Sequence, residues 1–368
     1  MAKRFPDLSE IEAAADGQWL QILTALAPQF AEAANRPGVH VDCPLHGGRH
    51  DFRFDKTRGP EKGLSFCTCG TRNGFQLLQE ACGFSFLEAK DAVAEYLGLL
   101  NINSNQRAEK IAKAKEKTAQ LKAQRESRIE LEDQQKAEKL SQIWSECVSL
   151  ESEQAKIGRR YLHMRKLDPS KASGFLRFHP NLPLYDQDGT NLVGRFPALV
   201  GKVLANDGTP ITLHRTYLDP ETGKRLAGKL GKKLMPGPEL KGFKHPGRII
   251  PVTTFNQEMG ILGVAEGIES AMAATAIFSV PCWATISAGP MTSFSPPSWV
   301  RQLVVFADND VNSTGQTAAR TLRQKLIDSG FTGKVHLRAP SCKKDENYDW
   351  ADAWYEHGPE AWNLRITL

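Results

Sequence analysis

Apolar residues recur at helical spacing near the N-terminus. Ile11, Trp19, Leu20, Leu23 and Leu26 form a stripe behind Asp7-Leu8-Ser9-Glu10, a segment able to cap a helix. The pattern predicts one or two short helices within residues 1–35. Residues 36–75 lose the periodicity and are rich in Gly, Cys, His and aromatics but poor in aliphatics, so they need a staple to hold a fold. Helical spacing returns over 76–100, with Phe75, Leu77, Leu78 and Cys82 followed by Phe86, Ala89, Val93, Tyr96 and Leu97. Between Gly98 and Gly158 there is neither Gly nor Pro, and Ala, Lys, Glu, Gln and Arg dominate. Sparse apolar positions among strong helix formers predict a long, mostly exposed helix over about 105–157. Ile111, Leu121, Ile129 and Leu140 keep no clean heptad, which favours a spacer over a coiled coil.

Residues 160–255 change to short β-rich runs, such as 196–203 and 211–218, separated by Asp207-Gly208, a hairpin signal. From 258 to 340 the pattern alternates. Strands are expected at 261–265, 282–286, 303–307 and 334–337, with helices at 270–278 and 315–329. That order implies a parallel sheet with crossover helices.

The chain has 368 residues, 40% of them hydrophobic, enough for two or three domains. It contains no run of eighteen apolar residues, and Met1-Ala2-Lys3-Arg4-Phe5-Pro6 lacks the apolar core of a signal peptide, so a cytoplasmic protein without a membrane partner is expected. The net charge is +5, but its distribution says more: Arg195 to Arg248 carries 11 Lys/Arg against 4 Asp/Glu. Such a stretch is either a solvated surface or a phosphate-binding one. Seven cysteines in a cytosolic chain argue against a disulfide framework. Cys82, Cys147, Cys282 and Cys342 are scattered and expected to be small buried apolar residues.

The other cysteines cluster. Cys43-Pro44-Leu45-His46 and Cys67-Thr68-Cys69-Gly70 give two pairs of Cys and His about twenty residues apart, the make-up of a tetrahedral structural zinc site. The second pair is C-x-C where C-x-x-C is usual, and this tight spacing leaves His40 and His50 as alternative ligands. With Gly47-Gly48, Phe52-Arg53-Phe54 and Phe66 around them, these pairs resemble the zinc-binding domain of phage and plasmid primases over roughly residues 40–98. The resemblance implies a module that binds or selects the template strand. Arg49 and Arg53 could meet phosphates there, and Phe52 or Phe54 could stack on a base or belong to the core.

Acidic residues stand at two expected strand ends: Glu266-Gly267-Ile268-Glu269 and Asp308-Asn309-Asp310. In an open parallel sheet these ends converge. Carboxylates gathered there repel one another unless a cation neutralises them, and hard oxygen ligands suit Mg2+ or Mn2+. Glu266, Asp308 and Asp310 are therefore the candidate metal ligands, and Glu269 is expected to be structural. In order and spacing the two segments resemble the Toprim domain shared by primases, topoisomerases and some nucleases, over about 255–355. Gly315-Gln316-x-Ala318-Ala319, Lys344-Asp345 and Tyr348-Asp349-Trp350-Ala351-Asp352 resemble further elements of the phage and plasmid primases. The resemblance implies nucleotidyl transfer, with Asp349 and Asp352 as ligands or outer-shell residues.

The segment before it, including Gly194-Arg195-Phe196-Pro197, His214-Arg215-Thr216-Tyr217 and Lys232-Lys233-Leu234-Met235, resembles the region that precedes Toprim in phage-encoded primases. By that resemblance Arg195, Arg215, Lys229, Lys232 and Lys233 would contact the DNA template, the incoming ribonucleoside triphosphate or the RNA–DNA hybrid. The expected class is α/β: a Toprim parallel sheet flanked by helices at the C-terminus, a small zinc-binding β module at the N-terminus, a long linking helix and a basic α+β middle domain. The expected divisions are 1–35, 36–100, 101–157, 158–255 and 256–368. The expected function is a DNA primase making short RNA primers on single-stranded DNA. A Toprim nuclease and a non-catalytic zinc-containing accessory factor are the alternatives. With no G-x-x-x-x-G-K-[ST] loop, a helicase is expected to act in trans.

Overall fold

The computed structural model describes residues 5–56, 62–187, 189–238, 247–341 and 347–368. Cys342, Lys344 and Asp345 lie outside them, as do Lys241 and Lys244 of the basic stretch. The chain divides into two compact units, residues 1–130 and 131–368. Among the described residues no helix is long and apolar enough to cross a membrane.

In the first unit α1 (Leu8–Ala15) begins at a capping box. The Asp7 carboxylate accepts from Glu10 N at 2.9 Å, and Glu10 accepts from Asp7 N at 3.0 Å. α2 (Trp19–Leu26) and α3 (Ala31–Asn35) follow. Three short strands, β1 (Arg53–Phe54), β2 (Ser65–Cys67) and β3 (Gly70–Arg72), pair antiparallel in that order. α4 (Gly74–Cys82) and α5 (Phe86–Tyr96) start at capping boxes set by Asn73 with Gln76 and Ser85 with Glu88. The shortage of aliphatics over 36–75 is met by aromatics from that stretch packing beneath the flanking helices. Phe52 and Phe54 are fully buried, and their rings lie 5.7 and 6.3 Å from Phe30. Of the two roles open to them, they therefore take the core one.

α6 (Ser104–Glu146) runs for 43 residues, mostly exposed, from the first unit into the second. It ends at Glu146, short of the expected 157, because backbone pairing beyond it competes with the helix. Val148 and Phe178 exchange N–H···O bonds of 2.8 and 2.9 Å, which holds 148 extended. Helix propensity is a weak prior against such tertiary pairing.

The second unit contains two sheets. α7 (Lys156–Met164) precedes an antiparallel sheet of order β4-β5-β6-β7, made of β4 (Leu176–Tyr185), β5 (Leu192–Leu204), β6 (Pro210–Tyr217) and β7 (Lys232–Leu234). Pro180 and Pro183 interrupt β4, where the register shifts between His179 and Leu182, and an edge position tolerates them. The C-terminal sheet has the order β12-β11-β10-β8-β9. Its parallel strands are β8 (Ile261–Ala265), β9 (Cys282–Ala284), β10 (Gln302–Phe306) and β11 (Lys334–Pro340), and β12 (Arg365–Thr367) is an antiparallel edge. The helices around it include α8 (Ile268–Phe278), α9 (Ala288–Met291), α10 (Thr314–Asp328) and α11 (Trp350–His357). The class is α/β with a parallel sheet, as the alternating pattern implied. Bridges Leu204↔Ile249, Ile250↔Ala284 and Ala172↔Thr253 tie the two sheets through the segment before β8.

One aromatic cluster holds α11 on the C-terminal sheet. Trp350 is fully buried, with its ring 5.0 Å from Phe278 on α8 and 5.8 Å from Phe306 at the end of β10. Trp350→Ala is expected to cost about 3–5 kcal/mol. Denaturant unfolding measures this, and a loss below 1 kcal/mol would mean that α11 is held by something else.

Candidate active site and zinc-ligand cluster

The end of β10 is the hub of the acidic site. Asn309, the middle residue of the D-x-D segment, bridges Tyr348: Asn309 N donates to Tyr348 O at 2.9 Å and Tyr348 N donates back at 3.1 Å. Its side chain donates to Pro340 O at 3.0 Å and accepts from Gln316 at 2.8 Å. This clasp brings the start of α11, and with it Asp349, to the strand end that carries Asp308. The Gly315 N–H donates to Asp310 at 2.9 Å. A Cβ at Gly315 would lie 2.9 Å from Asp308 O and 3.1 Å from Asp308 N, so only glycine allows α10 to start this close.

The carboxylates feel one another. Burial, then Asp349, Glu266, Asp310 and Asp352, push the Asp308 carboxyl well above the usual range. Burial and Asp310 raise Glu266, which also accepts from the Ala288 backbone. Burial and Asp352 raise Asp349, although Asp349 accepts from Asp352 N at 2.8 Å as the helix N-cap. Asp308 Oδ1 is buried with no hydrogen-bond partner among the described residues. A divalent ion bound by oxygen supplies what this arrangement lacks, so the donor set fits Mg2+ or Mn2+. Among the described residues the Cys/His group is the one whose ligand atoms already converge within 4.8 Å. The carboxylates stand further apart, still within electrostatic reach.

Glu269, three residues after Glu266, is 4% exposed and is held by other partners. It accepts from the Tyr161 hydroxyl at 2.6 Å and the Lys232 ammonium at 2.9 Å, joining α7, β7 and α8. Burial would raise its carboxyl, but Lys232 and Tyr161 together hold it well below the usual range. Lys232 is thus the expected basic residue that adjoins the acids. Arg215 is buried, donating to the Tyr217 hydroxyl and Leu234 O, each at 3.0 Å. Lys233 donates to Tyr185 O at 2.8 Å. Arg195 and Lys229 are exposed, Arg195 donating to Asn181 O at 3.3 Å. Sequence patterning assigns no role to Tyr161 or to the Asn309 side chain, because their partners lie 108 and 39 residues away.

In the first unit Cys43, His46, Cys67 and Cys69 bring their ligand atoms together. A tetrahedral zinc with bonds of about 2.3 Å needs ligand atoms roughly 3.7 Å apart, which this group approaches. The tight C-x-C spacing has a simple origin. Cys67 pairs with Gly70 across the β2–β3 hairpin, so Thr68 and Cys69 are its two-residue turn. Gly70 has a φ of +128°, which suits glycine. Burial pushes the Cys67 thiol up, but hydrogen bonds from Cys69, His46 and Cys43 together outweigh it and bring the thiol down to about 7. Thiols that share protons this closely are suited to deprotonation by a metal. His40 bonds to His50 O at 3.1 Å, and neither histidine is in the cluster.

Comparison with known proteins finds matches over three stretches of the chain. Residues 38–75 match the family model of the zinc-binding domain of primase-helicase. Residues 261–360 match that of the Toprim domain. Residues 134–244 match a domain of unknown function (DUF7146). Similar solved structures include a DNA primase domain from Pseudomonas aeruginosa, with 16% identity over 62% of this chain and 78% of that one and a TM-score of 0.40. The zinc-binding and RNA polymerase domains of the Aquifex aeolicus primase show 14% identity over 95% and 86%, with a TM-score of 0.40. The E. coli primase catalytic core shows 16% identity over 60% and 76%, with a TM-score of 0.39. The zinc-binding and Toprim matches, in their observed folds, support a primase architecture.

Two outcomes are expected. Metal analysis should find roughly one zinc per chain, and Cys43→Ser should lose it; a variant that kept its zinc would point to other ligands. Glu269 binds its proton less readily in the native state than in the unfolded chain. The stability it contributes is therefore present above the usual carboxylate range and lost as pH falls through the native value. Glu269→Gln should cost about 3 kcal/mol at neutral pH, with the gap to wild type narrowing as pH drops below about 4. Equal urea midpoints at neutral pH would remove the pair from the framework.

Proposed function

We propose that this chain is a DNA primase that makes short RNA primers on single-stranded DNA by metal-dependent nucleotidyl transfer, in the replication of a phage, plasmid or other mobile element. The observation that carries this reading is the half-buried carboxylate group of Glu266, Asp308 and Asp349 beside Asp310, at strand ends of a Toprim-type sheet, in a chain that also has a primase-type zinc module. A non-catalytic accessory role leaves that group without a purpose, since mutually repelling, partly desolvated carboxylates are costly unless something neutralises them.

Glu266, Asp308 and Asp310 are the residues assigned to hold divalent metal, with Asp349 and Asp352 as further ligands or as supports that orient them. Bound there, such an ion would lower the pKa of a primer-end 3′-hydroxyl and offset the charge of the departing pyrophosphate. The protein's own share is then positioning and charge. Asn309 and Gly315 set where the carboxylates stand, and Lys232 offsets part of their charge from β7. Arg195 and Lys229, exposed, are suited to phosphates of the template, the ribonucleoside triphosphate or the RNA–DNA hybrid, contacts that carry no sequence information. Arg215 and Lys233 would assist by fixing the sheet. In this reading the zinc module engages the template, and a replicative helicase acts in trans.

A priming assay on single-stranded DNA with labelled ribonucleotides and Mg2+ or Mn2+ tests the proposal. Asp308→Ala should lower product by roughly two to three orders of magnitude, the usual effect of removing one group that stabilises transition-state charge. Equal product from variant and wild type would discard the catalytic assignment.

A further inference from the structure

One residue beside the acids holds a backbone conformation that its own side chain opposes. Ile286, just past β9, has a φ of +73°. That region suits glycine and is costly for a β-branched residue, so the surroundings must impose it. Ile286 is half-buried and packs against the apolar core that includes Phe178 and Phe306. Ala265 and Ala284 are partners across the parallel pair β8 and β9. Glu266 and Thr285 therefore leave neighbouring strand ends side by side, and Ile286 makes the first turn beyond them.

The turn is held from both ends. Thr285 N donates to Ala265 O at 2.8 Å. The Thr285 hydroxyl, fully buried, donates to Ala265 O at 3.2 Å and to Ser287 O at 3.5 Å. Further on, Met291 of α9 is fully buried. Asn206, in the turn between β5 and β6, donates to Ser293 O at 2.8 Å and accepts from Ser295 N at 3.2 Å. Lys325 on α10 donates to Thr292 O at 3.1 Å. Residues 285–295 thus form a strap whose two anchored ends leave the middle little freedom. In that middle the Ala288 backbone donates to the Glu266 carboxylate. A backbone donor fixes a carboxylate's rotamer without adding a charge, and such outer partners decide how well a ligand presents itself to a metal.

We propose that Ile286 is a positioning residue: its enforced left-handed turn aims the Ala288 amide at Glu266 and so sets that carboxylate toward Asp308 and Asp310. The assignment rests on the reading of Glu266 as a metal ligand and adds the device that orients it. Ile286 touches neither metal nor substrate in this account. What matters is the sign of its φ, and the strap supplies the force that keeps it.

Three substitutions at one position separate the turn from the side chain. Ile286→Gly accepts a positive φ freely, Ile286→Ala accepts it at a cost, and Ile286→Pro forbids it. Proline removes no hydrogen bond here, since Ile286 N donates none among the described residues. Melting temperature is measured for the zinc-loaded full chain, Mn2+ affinity by the spin-resonance signal of free Mn2+, and kcat and KM for ribonucleotide in the priming assay. Glycine and alanine lose the same packing, so the glycine variant should melt roughly 2–4 °C above the alanine one. Both should keep Mn2+ affinity within about twofold of wild type. The proline variant should bind Mn2+ about tenfold or more weakly and lose kcat by a similar factor, with KM little changed. Asn206→Ala, which frees the far end of the strap, is the second variant and should weaken Mn2+ in the same direction if the proline chain does not fold. A folded proline variant with wild-type Mn2+ affinity and kcat overturns the proposal and leaves the metal site standing. So does a glycine variant that melts no higher than the alanine one, or an Asn206→Ala chain with unchanged Mn2+ affinity. A wild-type chain that binds no Mn2+ at the carboxylates overturns the metal reading itself, and this proposal with it.

Discussion

Like charges crowded into a half-buried site are the constraint on which the second unit depends. Asp308, Glu266 and Asp349 are each driven toward the neutral form by burial and by their neighbours, and Asp308 keeps an oxygen with no protein partner. A fold reaches such an arrangement only if other interactions force the acids together. The forcing interactions are visible. The Asn309–Tyr348 bridge brings the closing motif to the β10 end, the Trp350 ring presses α11 onto Phe278 and Phe306, and Gly315 lets α10 begin against Asp308. Strain of this kind at a strand end is what a cation-dependent site is expected to store.

The neighbouring sheet serves the same site with opposite charge. Lys232 reaches from β7 to Glu269 on α8, and the pair joins the antiparallel sheet to that helix where the buried carboxylate alone would be costly. Pairs of this kind add little net stability against an apolar replacement, yet removing one partner is expensive. The pair thus makes the antiparallel sheet and the parallel one answerable to each other. His214, buried beside Lys232, is held down to about 4 by burial and then by that ammonium, so it is neutral at physiological pH and leaves Lys232 as the local cation.

Much of this was legible in the sequence where the signal was local. Alternating strand and helix patterns gave the parallel sheet, because period and order survive without knowledge of contacts. The four zinc-cluster residues could be read from spacing, since metal geometry leaves few options. What escaped depended on distant pairing. α6 was overextended because nothing in 147–157 breaks a helix; only the pairing of Val148 with Phe178 does. Asn309 and Tyr161 carry no local signal, since their roles come from residues far along the chain. Arg215 looked like a free cation and is instead an internal brace for β6 and β7, a difference that composition cannot register.

The outer rim of the antiparallel sheet has a consequence for how the molecule behaves in company. At one end of β4 Phe178 is already paired with Val148, and further along Pro180 and Pro183 present no amide hydrogen. A stray strand from another chain would find no continuous row of donors there to zip onto. Self-association by sheet extension is blocked at that rim, and any macromolecule that docks on this side must do so through side chains.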